Sequence, residues 1–91
     1  MAQTHSAGLM NFDSSGKRIA CTNRDSGTVS IVSYPELQVQ HEVSIGLHPE
    51  GVAWIGKSSK LACCVYGDDK VVIVDADSGK VTQTVSVFDE P

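Results

Sequence analysis

The sequence predicts an all-β fold in which one four-stranded antiparallel unit occurs twice. Three observations point there. Apolar, β-branched runs of strand length alternate with turn clusters rich in Gly, Asp, Ser and Lys, as in Tyr66-Gly67-Asp68-Asp69-Lys70 and Asp75-Ala76-Asp77-Ser78-Gly79. No segment carries an apolar period long enough for a helix. The chain also matches itself without a gap at an offset of 42 residues. At that offset Ile19-Ala20-Cys21 falls on Leu61-Ala62-Cys63, Val29-Ser30-Ile31-Val32 on Val71-Val72-Ile73-Val74, and Val43-Ser44-Ile45 on Val85-Ser86-Val87, while Phe12 meets Trp54 and Pro49 meets Pro91.

Each unit holds four strand candidates. In the second copy they are 51–55, 60–66, 70–75 and 81–87, with counterparts at 9–13, 18–24, 28–33 and 39–45. The first is a short apolar stretch behind a Pro. The second and third, Leu61-Ala62-Cys63-Cys64-Val65 and Val71-Val72-Ile73-Val74, are apolar on both sides of the alternation, so both sheet faces expect cover. The fourth follows Asp77-Ser78-Gly79-Lys80, a tight turn in which Gly79 supplies positive φ. A repeat of this length built from four short strands is the content of a β-propeller blade. The chain divides into an N-terminal extension (1–5), a first blade (6–47), a second blade (48–89) and the opening of an absent third unit (90–91).

The residues also carry a family resemblance. His48-Pro49-Glu50-Gly51-Val52-Ala53-Trp54, the strand Leu61–Val65, the Val-rich run ending at Asp75, the Ser78-Gly79 turn and the final Val-rich strand resemble the YVTN-type propeller repeat. Residues 48–87 match nearly throughout and residues 6–45 more loosely. Cys21, Cys63 and Cys64 depart from the pattern, as does Tyr34-Pro35-Glu36-Leu37 where the family has an Asp-x-x-Thr-Gly turn. The resemblance implies a ring of blades, usually seven, and a family that includes surface-layer and other binding proteins. Its relatives among lactonases and the haem-bearing domains of nitrite reductases draw channel residues from several different blades. Two near-identical units cannot supply that variety.

Propellers close as rings of about four to eight blades or more, and two blades leave two apolar faces open. Each face projects about 320 Å², and closing one contact buries on the order of 600 Å². The expectation is a cyclic homo-oligomer of three to five chains with heterologous contacts, the first blade of one chain against the second blade of the next. Four chains are preferred, because eight blades lies next to seven, although six lies equally near. The competing expectation is a fragment of a longer propeller, of surface-layer, lactonase-like or cytochrome type, with no activity of its own. No enzyme is expected, and the function expected is a binding or interaction scaffold.

Eleven acidic and seven basic residues give a net charge of −4 with no Lys/Arg cluster, which argues against nucleic acid or anionic membrane as partner. The N-terminus has neither the charge nor the apolar run of a leader, and no stretch approaches a membrane span. Three cysteines make no disulfide framework and read as buried free thiols, which favours the cytoplasm while leaving a secreted parent open.

His48 and Glu50 precede the innermost strand of the second blade and are the candidate channel-lining residues. A ring would repeat them around its axis. The first copy has Ser6 and Gly8 there, and no spacing supports a metal or cofactor, so a solvated turn is the plainer reading. Asp75–Gly79 resembles the opening of a calcium loop but lacks the later acidic ligand, so turn chemistry explains it. Asp68-Asp69 reads as a wet hairpin tip, and His5 and His41 read as surface residues. Phe12 and Trp54 read as core, as a repeated aromatic should. Cys63-Cys64 has no base or helix N-terminus to activate it. Ser14, Ser58 and Ser59 have no acid or imidazole in reach of the sequence to make a nucleophile.

Overall fold

A computed structural model describes residues 9–87. It contains eight strands: β1 (Met10–Phe12), β2 (Arg18–Asn23), β3 (Thr28–Ser33), β4 (Val39–Ser44), β5 (Pro49–Trp54), β6 (Lys60–Val65), β7 (Lys70–Asp75) and β8 (Lys80–Ser86). They form two antiparallel four-stranded meanders, β1-β2-β3-β4 and β5-β6-β7-β8. β3 and β7 keep the bounds expected from the sequence. β5 begins two residues earlier than expected, because Pro49 already pairs with Val65 across a bulge. The strand candidates at residues 9, 51 and 81 otherwise shift by one or two positions at their ends. Calls on His5, Ser6, Gly8 and residues 90–91 lie outside the described residues.

The repeat extends beyond side-chain type into backbone pairing. The register shifts between Ile31 and Val32 on β3, and between Ile73 and Val74 at the matching place on β7. The Tyr34–Leu37 stretch, so unlike its counterpart in sequence and with a cis Tyr34–Pro35 bond that the other turn lacks, closes in the same way. Leu37 N–H donates to the Ser33 carbonyl at 2.8 Å, as Gly79 N–H donates to Asp75 at 2.8 Å, and both Leu37 (φ 61°) and Gly79 (φ 72°) are left-handed. One residue per turn must take that conformation to close it. Glycine adopts it without strain and leucine does not.

Side chains alternate across each sheet. On the first sheet, Ala20, Val29, Ile31 and Val43 share one face and are buried; on the second, Val52, Leu61, Cys63, Val65, Val72 and Val74 do so. These two faces meet and form a single core with Ile45, Ala76 and the half-buried Trp54. The innermost strand β5 is what seats the second sheet against β1 and β2. Among the described residues nothing packs on the opposite face of either sheet.

Two core expectations need correction. Phe12, matched to Trp54 by the repeat, is 45% exposed and packs edge-on against Tyr34, with ring centroids 5.3 Å apart at 87°. Cys64 is exposed and Cys21 half-buried; only Cys63 is fully enclosed. Both misses have one cause. The repeat assigns the same environment to matched positions, but within this chain each sheet has a neighbour on one side only.

Candidate functional site

The blade–blade joint is built around Arg18, at the start of β2. Its guanidinium contacts Asp13 Oδ2 at 3.5 Å and Asp77 Oδ1 at 2.8 Å, and lies 5.5 Å from the centroid of the Trp54 ring. Trp54 Nε1–H donates to the Asn11 carbonyl at 3.0 Å, and Asn11 Nδ2 donates to Val52 O at 3.5 Å. His41 sits half-buried against Gly79, its Nε2 3.3 Å from Asp77 O, so it is a joint residue and not the surface residue expected. The hydrogen bond from Arg18, followed by Ser59, holds the exposed Asp77 carboxyl below the ordinary range. For Asp13, burial acts upward but is outweighed by hydrogen bonds from Ser15 and from the Arg18 and Lys17 amides, so its carboxyl is also lowered.

His48 and Glu50 lie where the second blade begins, but they serve different hollows. His48, left-handed at φ 53° and exposed, borders one between the blades with Arg24, Ser26, Gly46 and Asp68. Glu50 borders another on the open face of the second blade. Glu50 Oε2 pairs with Arg24 Nε at 3.1 Å, a solvent-facing bridge that contributes little to stability. Asp68 is more engaged than a wet hairpin tip: it accepts from the Leu47 amide at 3.0 Å and faces Lys70 Nζ at 3.7 Å.

The remaining candidates are occupied as turn residues. Asp75 Oδ1 accepts from the Asp77 amide at 3.0 Å and from Ser59 Oγ at 3.2 Å, while Asp77 is taken by Arg18, so the two carboxylates of the calcium-like stretch point to different partners. Ser59 thus meets an acid that sequence spacing had hidden, but no histidine hydrogen-bonds to it among the described residues. Ser58 Oγ closes its own turn onto Ile55 O at 2.7 Å, and Ser14 is exposed in the β1–β2 turn. Burial, and then the neighbouring Cys64, push the Cys63 thiol up to about 12, which suppresses the reactive thiolate. Among the described residues no three His, Cys, Asp or Glu side chains come together as metal ligands do.

What remains is the pair of open faces. Met10, Phe12, Ile19, Cys21, Val32 and Val39 line one, on the first blade. Its upper end is polar: Asn23 Nδ2 donates to Thr28 Oγ1 and Ser30 Oγ, both at 2.9 Å, and Thr28 Oγ1 donates to Glu42 Oε2 at 3.0 Å. The other, on the second blade, carries Ala53, Ala62, Cys64, Val71, Ile73 and Val85. A shallow hollow in it is lined by Gly51, Ala53, Ala62, Cys64, Tyr66 and Val71. These faces are the broadest open apolar features among the described strands.

No protein-family model and no curated protein matches the chain. Solved structures do. The whole chain superposes on part of hydrazine synthase from Kuenenia stuttgartiensis with a TM-score of 0.84 at 21% identity, covering 26% of that chain. It superposes over 98% of its length on the β-propeller domain of Cps50 (Swd1) from Myceliophteria thermophila, with a TM-score of 0.73 at 21% identity, covering 27% of that domain chain. The chain therefore spans about a quarter of each structure it matches. Likeness at this identity establishes architecture alone, and the architecture is that of two neighbouring β-propeller blades.

Proposed function

We propose that the chain is a non-enzymatic propeller module of the YVTN type, which closes a ring with further copies of itself and offers the loops and channel of that ring as a binding scaffold. One observation carries this reading. At the 42-residue offset, the apolar part of each open face matches the face that the other blade has already buried, while Asn23 and Ser30 stand where that blade buries Val65 and Val72. Ala62, Cys64, Val71, Ile73 and Val85 on the open second blade match Ala20, Thr22, Val29, Ile31 and Val43, all under 9% exposed. Met10, Ile19, Cys21 and Val32 on the open first blade match Val52, Leu61, Cys63 and Val74, none above 1%.

The joint inside the chain is thus a template for a joint between chains. That contact is heterologous, and heterologous contacts close into rings when the rotation permits. A joint of about 600 Å² is small beside stable interfaces of about 1,200–2,000 Å². The ring compensates because its last joint forms intramolecularly. Three to five chains are proposed, four being preferred, and His48 and Glu50 then recur once per chain about the axis. Light scattering on the chromatographic peak tests the reading. It predicts one sharp mass at three, four or five times that of the chain, unchanged on moderate dilution; a folded particle of one chain mass overturns it.

The second reading, two blades of a longer propeller, is favoured by the quarter-length match to both structures. It predicts polydisperse association through the same faces.

A further inference from the structure

Taking the ring reading as its premise, we infer that the joint between chains is a knob-and-hollow contact: Met10 and Phe12 of one chain enter the hollow floored by Gly51, Ala53, Ala62 and Cys64 of the next. Inside the chain β5 does this job, its Val52 and Trp54 seated over β1 and β2. Moving 42 residues back along the sequence puts Met10 in the place of Val52 and Phe12 in that of Trp54. The same shift puts Ala53 in the place of Asn11, Ala62 in that of Ala20, and Gly51 in that of Leu9.

The substitutions compensate in part, because Phe12 is smaller than Trp54 while Met10 is longer than Val52. Met10 is also flexible enough to fill an irregular space. The floor it meets is cut back, with glycine for leucine and alanine for asparagine. Met10 and Phe12 are 57% and 45% exposed in the single chain, an unusual condition for the innermost strand of a blade.

The cation is kept as well. Arg18 stands over the Trp54 ring, and its counterpart Lys60 stands correspondingly over the Phe12 ring of the neighbour. Tyr34, already edge-on to Phe12, takes the place of the buried Ala76 and widens the aromatic part of the contact. The Asn23–Thr28–Ser30–Glu42 network is hydrogen-bonded within itself, so this end of the face enters the joint with its polar groups already paired.

One bond of the template is missing: phenylalanine has no indole N–H to match the Trp54 bond to Asn11 O. Restoring it gives a gain-of-function test. Phe12→Trp places an indole N–H against the neighbour's Ala53 carbonyl and lowers the concentration at which the assembly dissociates by about two- to tenfold per joint, the value of one hydrogen bond. Ala62→Trp fills the hollow and yields a folded single chain, while Lys57→Trp in the exposed β5–β6 turn leaves the mass unchanged. Sedimentation across a dilution series, with circular dichroism to report folding, reads all three against wild type. If wild type is a multimer and neither Phe12→Trp nor Ala62→Trp alters its dissociation, the knob-and-hollow contact is overturned while the ring stands. If wild type is itself a single chain, both fall. Should Ala62→Trp fail to fold, Phe12→Trp alone decides.

Discussion

The ion pair that joins the two blades and also engages a ring face rests on residues the repeat does not duplicate. Arg18 and Asp77 stand 59 positions apart, and at the 42-residue offset Arg18 matches Lys60 while Asp77 matches Pro35. Nothing in the pattern announced the pair; it is visible only once the blades are stacked. Because the Arg18 bond holds the Asp77 carboxyl below its usual value, the pair stabilises the fold fully above about pH 4, the ordinary aspartate range. Its contribution is lost as pH falls through the depressed folded value. Asp77→Asn is therefore expected to melt below wild type at pH 7, with the gap closing as pH falls below the ordinary aspartate range. Melting curves of the two proteins at pH 7, 4 and 2.5 check it, and a gap constant with pH would show that Asp77 acts through something other than its charge.

Among the elements, the turn between β7 and β8 makes a demand that only glycine meets. Gly79 is left-handed, and a Cβ there would collide with the His41 imidazole on the facing blade. Gly79→Ala combines backbone strain of about 1 kcal/mol with displacement of His41. It is expected to lower the melting temperature by at least about 4–8 °C, the scale for roughly 1 kcal/mol in a domain of this size. The matched turn carries Leu37 instead and faces no blade within the chain, so Leu37→Ala is expected to be close to neutral in the single chain. Elements of this kind were largely legible in the sequence. The alternation in Leu61–Val65 placed Cys63 and Cys64 on opposite faces, and Gly79 was assigned its positive φ from the turn residues alone. The bulges at Ile31/Val32 and Ile73/Val74 were not, because β-branched runs read the same with or without an extra residue. The environment of Phe12 was misread for a different reason, since burial depends on which neighbour is present.

That dependence governs the whole molecule. Each blade has one face covered by its partner and one face covered by no other described residue, and the apolar residues on the uncovered faces match ones buried in the joint. The sequence raised the expectation that two blades need a partner, while the proposed knob-and-hollow pairing drew on which residues share a face. Three cysteines happen to report on this arrangement separately: Cys63 in the core between the blades, Cys64 on the open face of the second blade, Cys21 on that of the first. Cys63, with its thiol pushed up to about 12, stays silent near neutral pH in any assembly. The decisive measurement is the count of thiols that react with a bulky maleimide in the native protein, resolved to individual cysteines by mass. A closed ring covers both faces in every chain, so Cys21 and Cys64 are both protected until denaturant exposes all three. Rapid labelling of Cys64 and Cys21 at the rate of the denatured protein would mean that the open faces stay open, and would contradict the account.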